Sequence, residues 1–287
     1  MSTHLHVDPF AGLAGDMWLG ALLDLGAELG PIEAALRAVL PEGEGLSLTA
    51  DRGLRASVSC VDFRVHVGEP AVAGHDHAHG HEHDHGHKHA DDHDHGHHHH
   101  HHDRAHSHGH RHYPEIVAMI EALDAPQRAK DRAMAVTTRL AECEARVHGT
   151  TIEAVHFHEV GAVDSIVDML GGALAMEQLG VESVSSGPVP WPRGWVRCDH
   201  GRMPVPAPAT AYLMEGMPTV GVDETMEMVT PTGAAWLAVT VDAWGPMPAM
   251  SVKGVGYGAG DKDTPGRPNA LRLVLGETDG AVAGRAG

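Results

Sequence analysis

The residues His156-Phe157-His158-Glu159-Val160-Gly161-Ala162-Val163-Asp164-Ser165-Ile166-Val167-Asp168 bring two imidazoles and three carboxylates together in one short stretch. If its first part is an extended strand, His156 and His158 share one face and Phe157 points the other way. Gly161 then ends the strand. The pattern predicts a chelating pair of imidazoles on one side of a strand and an aromatic core residue on the other.

The second half of this stretch indicates a helix. Asp164 and Asp168 are four residues apart, so they share one helix face. Two imidazole nitrogens and up to three carboxylates, the third from Glu159, could close around one divalent cation and leave room for a substrate. Glu159 and Asp164 are also candidates for acid–base catalysis. The alternative is that the histidines cap a strand and the aspartates lie on a solvated helix face.

The composition limits the class of protein. The chain has 287 residues, of which 42% are apolar but only 4% aromatic, so we expect a core of Ala, Val, Leu and Met. A formal charge of −19 argues against nucleic acid or an anionic membrane surface as a partner. Abundant imidazole and acidic side chains instead suit a cationic ligand.

The cysteines and the hydropathy bear on location. Cys60, Cys143 and Cys198 are widely separated, which is typical of free thiols in a reducing compartment. The first residues do not resemble a secretory signal, and no apolar run is long enough to span a membrane. We therefore expect a soluble cytoplasmic protein.

The N-terminal strand carries a second group of candidate metal ligands. Residues 3–8 alternate in character, which predicts a strand with its apolar side chains on one face. His4, His6 and Asp8 lie together on the other face.

A glycine-containing loop follows this strand and leads into a helix over 16–25. Gly12 and Gly15 lie in the loop, and a strand–loop–helix unit presents backbone N–H groups to an anion, so both are candidate cofactor-binding residues. The full phosphate-loop pattern is absent. Asp16 opens the helix, where capping is the commoner role and catalysis the alternative.

Residues 75–112 contain 20 of the 27 histidines, mostly alternating with Asp, Gly, Ala or Glu. So little apolar surface cannot offset the entropy of ordering, which predicts a disordered insert in the absence of metal. Neutral imidazoles bind Ni²⁺, Cu²⁺ and Zn²⁺, so the tract is expected to hold several divalent cations. The alternative is a polar linker that never meets metal.

The remaining pattern predicts a mixed α/β (α+β) fold. The main domain combines residues 1–74 and the helical part 113–185 around the insert, and a smaller α+β part covers 186–287. Predicted helices cover 32–40, 115–123, 127–147, 164–179 and 207–215, with another opening at Thr230. Predicted strands cover 46–50 and 57–67, joined by a turn at Arg52-Gly53, and 181–184, 251–255 and 269–275.

Three further candidate sites lie in the C-terminal part. Cys198 and His200 share a face of an extended segment and could be a ligand pair, since soft sulfur suits nickel or zinc. Thr230 and Thr232 begin a helix and could hold a phosphate, although capping is the commoner explanation. Gly258 lies in a predicted glycine loop over 256–261 and is a candidate cofactor-binding residue.

Several blocks resemble LarC-type nickel-insertion proteins. They are spread over essentially the whole chain, in the family's order, and an internal His-rich insert is also common in that family. The blocks are the following: His4 to Met17, His156 to Asp168, Cys198-Asp199-His200-Gly201-Arg202-Met203-Pro204-Val205-Pro206-Ala207-Pro208-Ala209-Thr210, Thr230 to Ala235, and Gly256 to Gly260.

The resemblance implies an activity that spacing alone does not supply. It implies insertion of nickel into pyridinium-3,5-bisthiocarboxylic acid mononucleotide, with formation of a nickel–carbon bond, to give the pincer cofactor of lactate racemase and related enzymes. It also implies CTP as co-substrate and Mg²⁺ or Mn²⁺ as an assisting ion. Full-length members continue into a C-terminal domain associated with CTP, which we expect a separate chain to supply if this protein completes the reaction. We also expect a homo-oligomer and an apo lactate racemase-like client.

Two other functions stay open from the sequence. The first is a nickel chaperone or store, in which the tract binds the metal and the folded part only docks. The second is a metal-dependent hydrolase that uses His156, His158, Asp164 and Asp168 around an activated water.

Overall fold

The computed structural model describes residues 1–41, 43, 45–68, 111–157, 161–198, 201–262 and 266–279. The helices of these residues are α1 (Gly15–Asp24), α2 (Leu29–Val39), α3 (Tyr113–Ala122), α4 (Gln127–His148), α5 (Val163–Gln178), α6 (Pro208–Leu213) and α7 (Pro231–Thr240). Each lies within a few residues of its predicted position, because apolar spacing and Pro or Gly signals mark both ends. No helix in the described ranges is long and apolar enough to cross a membrane.

The strands complete a mixed α+β fold, as predicted. They are β1 (Ser2–Asp8), β2 (Leu46–Arg55), β3 (Val58–Val67), β4 (Arg111–His112), β5 (His156–Phe157), β6 (Ser183–Ser186), β7 (Val189–Trp191), β8 (Trp195–Cys198), β9 (Gly201–Pro204), β10 (Thr219–Gly221), β11 (Ala243–Trp244), β12 (Ser251–Ala259) and β13 (Ala270–Thr278). Seven of them form one sheet in the order β11-β6-β1-β13-β12-β3-β2.

The sheet joins the two ends of the described chain. β1 pairs antiparallel with β13 over its whole length, with Ser2 opposite Thr278, and parallel with β6 on its other side. Leu5 and Val7 are fully buried in the core. Three strands of the predicted 186–287 part, β11, β12 and β13, therefore lie in the same sheet as β1, while β7 pairs with β10 and β8 with β9 in separate small sheets. The predicted domain boundaries themselves stay a prediction.

The predicted loop over 256–261 is wrong, because most of it is strand. β12 continues to Ala259, and its glycines let helix α1 approach the sheet. A Cβ on Gly258 would lie 1.9 Å from the backbone oxygen of Met17, and one on Gly256 would lie 2.2 Å from that of Ala21. Gly258 thus serves helix–sheet contact, which leaves no space at its Cα for the cofactor that the sequence interpretation placed there.

The predicted hairpin turn at Arg52-Gly53 is also wrong. β2 runs through these residues, with Gly53 opposite Cys60, and the turn lies at Ala56 and Ser57. Both turn residues have positive φ, 43° and 71°. A two-residue turn of this hand matches the twist of the strands, although neither residue is the usual glycine or asparagine.

Helix α5 is buried along most of its length, and two adjacent glycines make room for its neighbours. Trp18 of α1 and Trp236 of α7 stack with ring centroids 5.3 Å apart and an interplanar angle of 13°. A Cβ on Gly172 would lie 2.6 Å from the Trp236 ring and 3.1 Å from the Trp18 ring. The indole pair therefore links α1, α5 and α7 at one point.

Candidate functional site

The N-terminal ends of four helices open onto one cavity of about 750 Å³. The wall residues from these ends belong to α1 (Gly15, Asp16, Met17), α5 (Asp164, Ser165, Asp168), α6 (Pro208, Ala209) and α7 (Pro231, Thr232). Free N–H groups at helix N-termini favour anions, and α1 and α5 also carry acidic side chains at these ends. The volume is that of a site for a small ligand.

Asp16 and Asp168 form the acidic centre of the cavity. Asp168 is buried, and Gly15 packs directly against it, because a Cβ at residue 15 would lie 2.3 Å from Oδ2 of Asp168. Burial, followed by repulsion from Asp261, raises the pKa of Asp16 to about 7. Burial, followed by repulsion from Asp16 and Asp164, raises the pKa of Asp168 well above its usual range. The pair is therefore suited to holding a proton or a cation.

Two further acids complete this wall. Asp164 is exposed at the first turn of α5, where its Oδ1 accepts a hydrogen bond from the backbone N–H of Ser165 at 2.8 Å. Asp261 forms an ion pair with Arg64 of β3. Asp164 and Asp168 therefore both line the cavity, as their position on one helix face predicts. Asp261, two residues after the end of β12, also lines it and was not identified in the sequence analysis.

Thr230 and Thr232 begin α7 at the cavity. The Thr230 hydroxyl accepts a hydrogen bond from Gly233 N at 3.2 Å and lies 3.0 Å from the Thr232 hydroxyl. Thr230 is thus a helix cap, and the first turn of α7 carries no acidic residue. This end of α7 is therefore compatible with an anionic group beside the cap.

The C-terminal end of α4 also contributes to the cavity wall, and the sequence analysis did not identify it. Glu144 and His148 both line the cavity, and Oε2 of Glu144 lies 3.6 Å from Nε2 of His148. The available signal was a Glu and a His four residues apart just before Gly149, which ends the helix at a positive φ of 62°. The hairpin of β8 and β9 adds Arg197 and Met203 to this cavity.

His4, His6 and Asp8 lie on one face of β1, as predicted, but away from the cavity wall. His4 bonds Ser183 through Nδ1 at 2.7 Å and Ser185 through Nε2 at 2.8 Å. His6 bonds Ser185 through Nδ1 at 2.8 Å. Burial lowers the pKa of both imidazoles.

Asp8 is also engaged, because Nε of Arg272 donates a hydrogen bond to its Oδ2 at 3.0 Å. Partners within the sheet thus occupy both nitrogens of His4, one of His6 and an oxygen of Asp8. A metal ion would have to displace these contacts, so the metal role assigned to the three residues conflicts with the arrangement found.

Gly12 also lies elsewhere. It has a φ of 113°, and a Cβ there would lie 1.9 Å from the backbone oxygen of Met228. Leu13 donates a hydrogen bond to that same oxygen at 2.8 Å. The glycine thus allows two backbones to meet, and the predicted cofactor contact is replaced by a backbone contact.

Part of the central motif can be placed. Phe157 is buried, as predicted, and β5 pairs with β4 so that His156 is opposite His112. Nη1 of Arg111 donates a hydrogen bond to the carbonyl of Gly161 at 3.0 Å. The predicted ligands His158, Glu159 and His200 lie outside the described residues, as does nearly all of the His-rich tract. Of the residues that are described, no three His, Cys, Asp or Glu side chains form a group able to hold a metal ion.

Comparison with known proteins places the chain in a family. Residues 5–285 match the family model described as nickel insertion protein. The chain belongs to that family. It is 38% identical over 273 residues to the pyridinium-3,5-bisthiocarboxylic acid mononucleotide nickel insertion protein of Geobacillus kaustophilus. It is 42% identical over 278 residues to a protein of Geobacter metallireducens named "Putative nickel insertion protein".

Each match covers a larger share of this chain than of the relative. It includes 95% and 97% of this chain but 59% and 62% of the Geobacillus and Geobacter proteins. The chain thus spans about three fifths of the length of these family members. No solved structure matches it.

Proposed function

We propose that the cavity binds pyridinium-3,5-bisthiocarboxylic acid mononucleotide and that the chain takes part in inserting nickel into it. The observation that carries the proposal is the Asp16–Asp168 pair at the meeting point of helix N-termini in a cavity of nucleotide size. The name of the Geobacillus relative supports this choice of substrate. Nickel is a substrate of this reaction.

A carboxylate is needed because the reaction releases a proton. When the pyridinium C–H bond is replaced by a C–Ni bond, the carbon keeps the electron pair and a base takes the proton. Asp16 is positioned for this step, since its carboxyl lines the cavity and is held by a hydrogen bond from Met17 N at 2.8 Å. Glu159 and Asp164 are the other candidates from the sequence. A pKa near 7 allows a carboxylate to accept a proton and release it again at neutral pH.

The anionic groups of the substrate suit the helix ends. We place the phosphate beside Thr230 and Thr232, where α7 offers free N–H groups without an acidic side chain in its first turn. Gly15 would then lie at the acidic end, where the absence of a side chain lets the carboxyl group of Asp168 pack against the backbone of α1. His156, His158, Cys198 and His200 remain proposed nickel ligands from the sequence alone.

The remaining components come from the family resemblance. Asp164 and Asp168 fit Mg²⁺ or Mn²⁺, which bind through one or two carboxylates together with phosphate oxygens such as those of CTP. An ion there would neutralise charge on the phosphates. A lactate racemase-type client, a second chain carrying a C-terminal domain, a homo-oligomeric state and a cytoplasmic location belong to the same proposal. The buried free thiols of Cys60 and Cys143 are consistent with that location.

Mass spectrometry of the mononucleotide after incubation with the purified chain, Ni²⁺, CTP and Mg²⁺, with and without a second chain that carries the C-terminal domain of a relative, tests the proposal. The product gains one nickel and loses the displaced proton. We expect Asp16→Asn to reduce the rate by roughly 10²- to 10⁴-fold, the usual contribution of a general base. Asp51→Asn, at an exposed position of β2, is the matched control and should keep the rate. Equal rates for the two variants would refute the role of Asp16.

A store or chaperone is the second candidate, and the 20 histidines of residues 75–112 favour it. Deleting this tract distinguishes the two functions. An insertion enzyme keeps its rate when Ni²⁺ is abundant, whereas a store loses most of its bound nickel and has no rate to keep. Equilibrium dialysis and the mass assay, carried out on the same two proteins, measure both quantities.

A further inference from the structure

The C-terminal end of α4 differs from the other helix ends at the cavity. Helices α1, α5, α6 and α7 present N-terminal ends, whose N–H groups favour anions, whereas α4 presents its last turn. Carbonyl groups at a helix C-terminus favour cations. Among the described helix ends at the cavity, the end of α4 is therefore the one whose dipole favours a cation.

Two good metal ligands lie at that end. Glu144 and His148 are four residues apart, so their side chains leave the same helix face, the spacing that also places two histidines on one zinc ion in other proteins. Their ligand atoms are 3.6 Å apart. Ligands at about 2.1 Å from one ion lie about 3.0 to 3.4 Å from each other, so a small side-chain rotation closes the chelate.

The surroundings also favour a cation. The side chains of His148 and Glu144 are 28% and 14% exposed, so they are sheltered but within reach of an entering ion. Arg146, between them in sequence, points elsewhere, because it pairs with Glu215 and stacks 3.7 Å over the Tyr212 ring. The cavity wall carries more acidic than basic side chains. The acids are Asp16, Glu144, Asp164, Asp168, Glu227 and Asp261, and the bases are Arg64, Arg197 and Lys262.

We propose that Glu144 and His148 form a two-ligand site for a divalent cation, through which Ni²⁺ enters the cavity. Imidazole nitrogen with carboxylate oxygen suits nickel. Two protein ligands hold the ion loosely and leave coordination positions open to water or to the thiocarboxylate sulfurs of the substrate. The ion can therefore be passed across the cavity toward the acids of α1 and α5. The transfer rests on the proposed function, but binding of the ion does not.

Site-resolved acylation of histidines by diethyl pyrocarbonate tests the binding. The full-length chain is titrated with Ni²⁺ alone, the free ion concentration is set by a chelator buffer, and mass spectrometry measures acylation of each histidine. We expect Ni²⁺ to slow acylation of His148. His66, exposed on β3 and bonded to Thr49, is the internal control and should keep its rate.

Variants of residue 144 then test whether Glu144 is a ligand of the ion that protects His148. Glu144→Gln should raise the Ni²⁺ concentration for half-protection of His148 by at least about tenfold, whereas Glu144→His should keep protection because two imidazoles at this spacing chelate nickel. Glu121→Gln, at an exposed position of α3, is the matched control. Protection unchanged in Glu144→Gln, or no protection of His148 in the unaltered chain, would overturn the site.

Unfolding curves show which variants are folded and can be interpreted. If Glu144→Gln does not fold, the comparison of Glu144→His with the unaltered chain still tests the metal site. Loss of His148 protection in Glu144→His would contradict chelation by these two residues. No mononucleotide is present, so a chain without insertion activity can still show the metal site. Conversely, a chain that inserts nickel can lack the Glu144–His148 metal site, so the failure of one proposal is distinguishable from the failure of the other.

Discussion

Gly15 lies against the carboxyl group of Asp168, and an added Cβ at residue 15 would be 2.3 Å from its Oδ2. Gly15→Ala should therefore displace this buried carboxyl group and lower the free energy of unfolding by about 1 to 3 kcal/mol, the usual cost of overpacking. Urea unfolding measures the loss. Gly30→Ala is the matched control, because nothing lies within 4 Å of its added methyl group. That change should leave stability unchanged or raise it by about 0.5 kcal/mol. Similar losses for both glycines would contradict the contact.

Neutralising Asp16 should stabilise the protein at alkaline pH. Its pKa is raised from 3.8 to about 7, so the folded state holds a proton that the unfolded state has lost. The contribution of Asp16 to the free energy of unfolding is therefore most favourable below about pH 4, and it is lost as the pH rises through 7. At pH 8 we expect Asp16→Asn to be more stable than the unaltered chain by roughly 1 to 3 kcal/mol, and the difference to vanish near pH 4. Unfolding at several pH values with a chelator present measures it, and a constant difference would exclude a raised pKa.

Ser185 holds two buried histidines, since its hydroxyl lies 2.8 Å from Nε2 of His4 and 2.8 Å from Nδ1 of His6. Ser185→Ala leaves both nitrogens without this partner and should cost about 1 to 3 kcal/mol. Ser47→Ala, on the exposed face of β2, should cost almost nothing. Thermal unfolding compares the two. Equal midpoints would show that the network contributes little to stability.

Gly172→Ala should separate the stacked indoles of Trp18 and Trp236, because the new Cβ would lie 2.6 Å from one ring and 3.1 Å from the other. Near-ultraviolet circular dichroism should lose the signal of the coupled pair, and unfolding should become easier by about 1 to 3 kcal/mol. Gly187→Ala, with nothing within 4 Å of the added methyl, is the control. An unchanged spectrum in Gly172→Ala would show that the helices move apart without disturbing the stack.

The helices could be predicted from the sequence more accurately than the loops. Apolar spacing with Pro114 or Gly149 at a boundary is local information, and α3 and α4 follow it. The turns predicted at two glycines were wrong for a physical reason. Gly53 and Gly258 indicate turns in a local interpretation, but Gly258 is required by the approach of α1 across the sheet, a contact between residues far apart in sequence.

The candidate site was predictable only in part. Asp164 and Asp168 lie on one face of α5 and both line the cavity, as a period of 3.6 residues requires. That Asp16 meets Asp168 depends on the packing of α1 against α5, which no local pattern encodes. Glu144 and His148 were overlooked because a Glu–His pair at this spacing is usually only a solvated ion pair on a helix.

The pairing of β1 with β13 has a consequence for biosynthesis. Ser2 to Asp8 are synthesised some 270 residues before their antiparallel partners, residues 272–278. During that time β1, an interior strand of the finished sheet, has an open edge, which is a template for association with other chains. We therefore expect the yield of native protein in cells to depend on chaperones that shield β1 during synthesis, more strongly than the final stability of the protein would indicate.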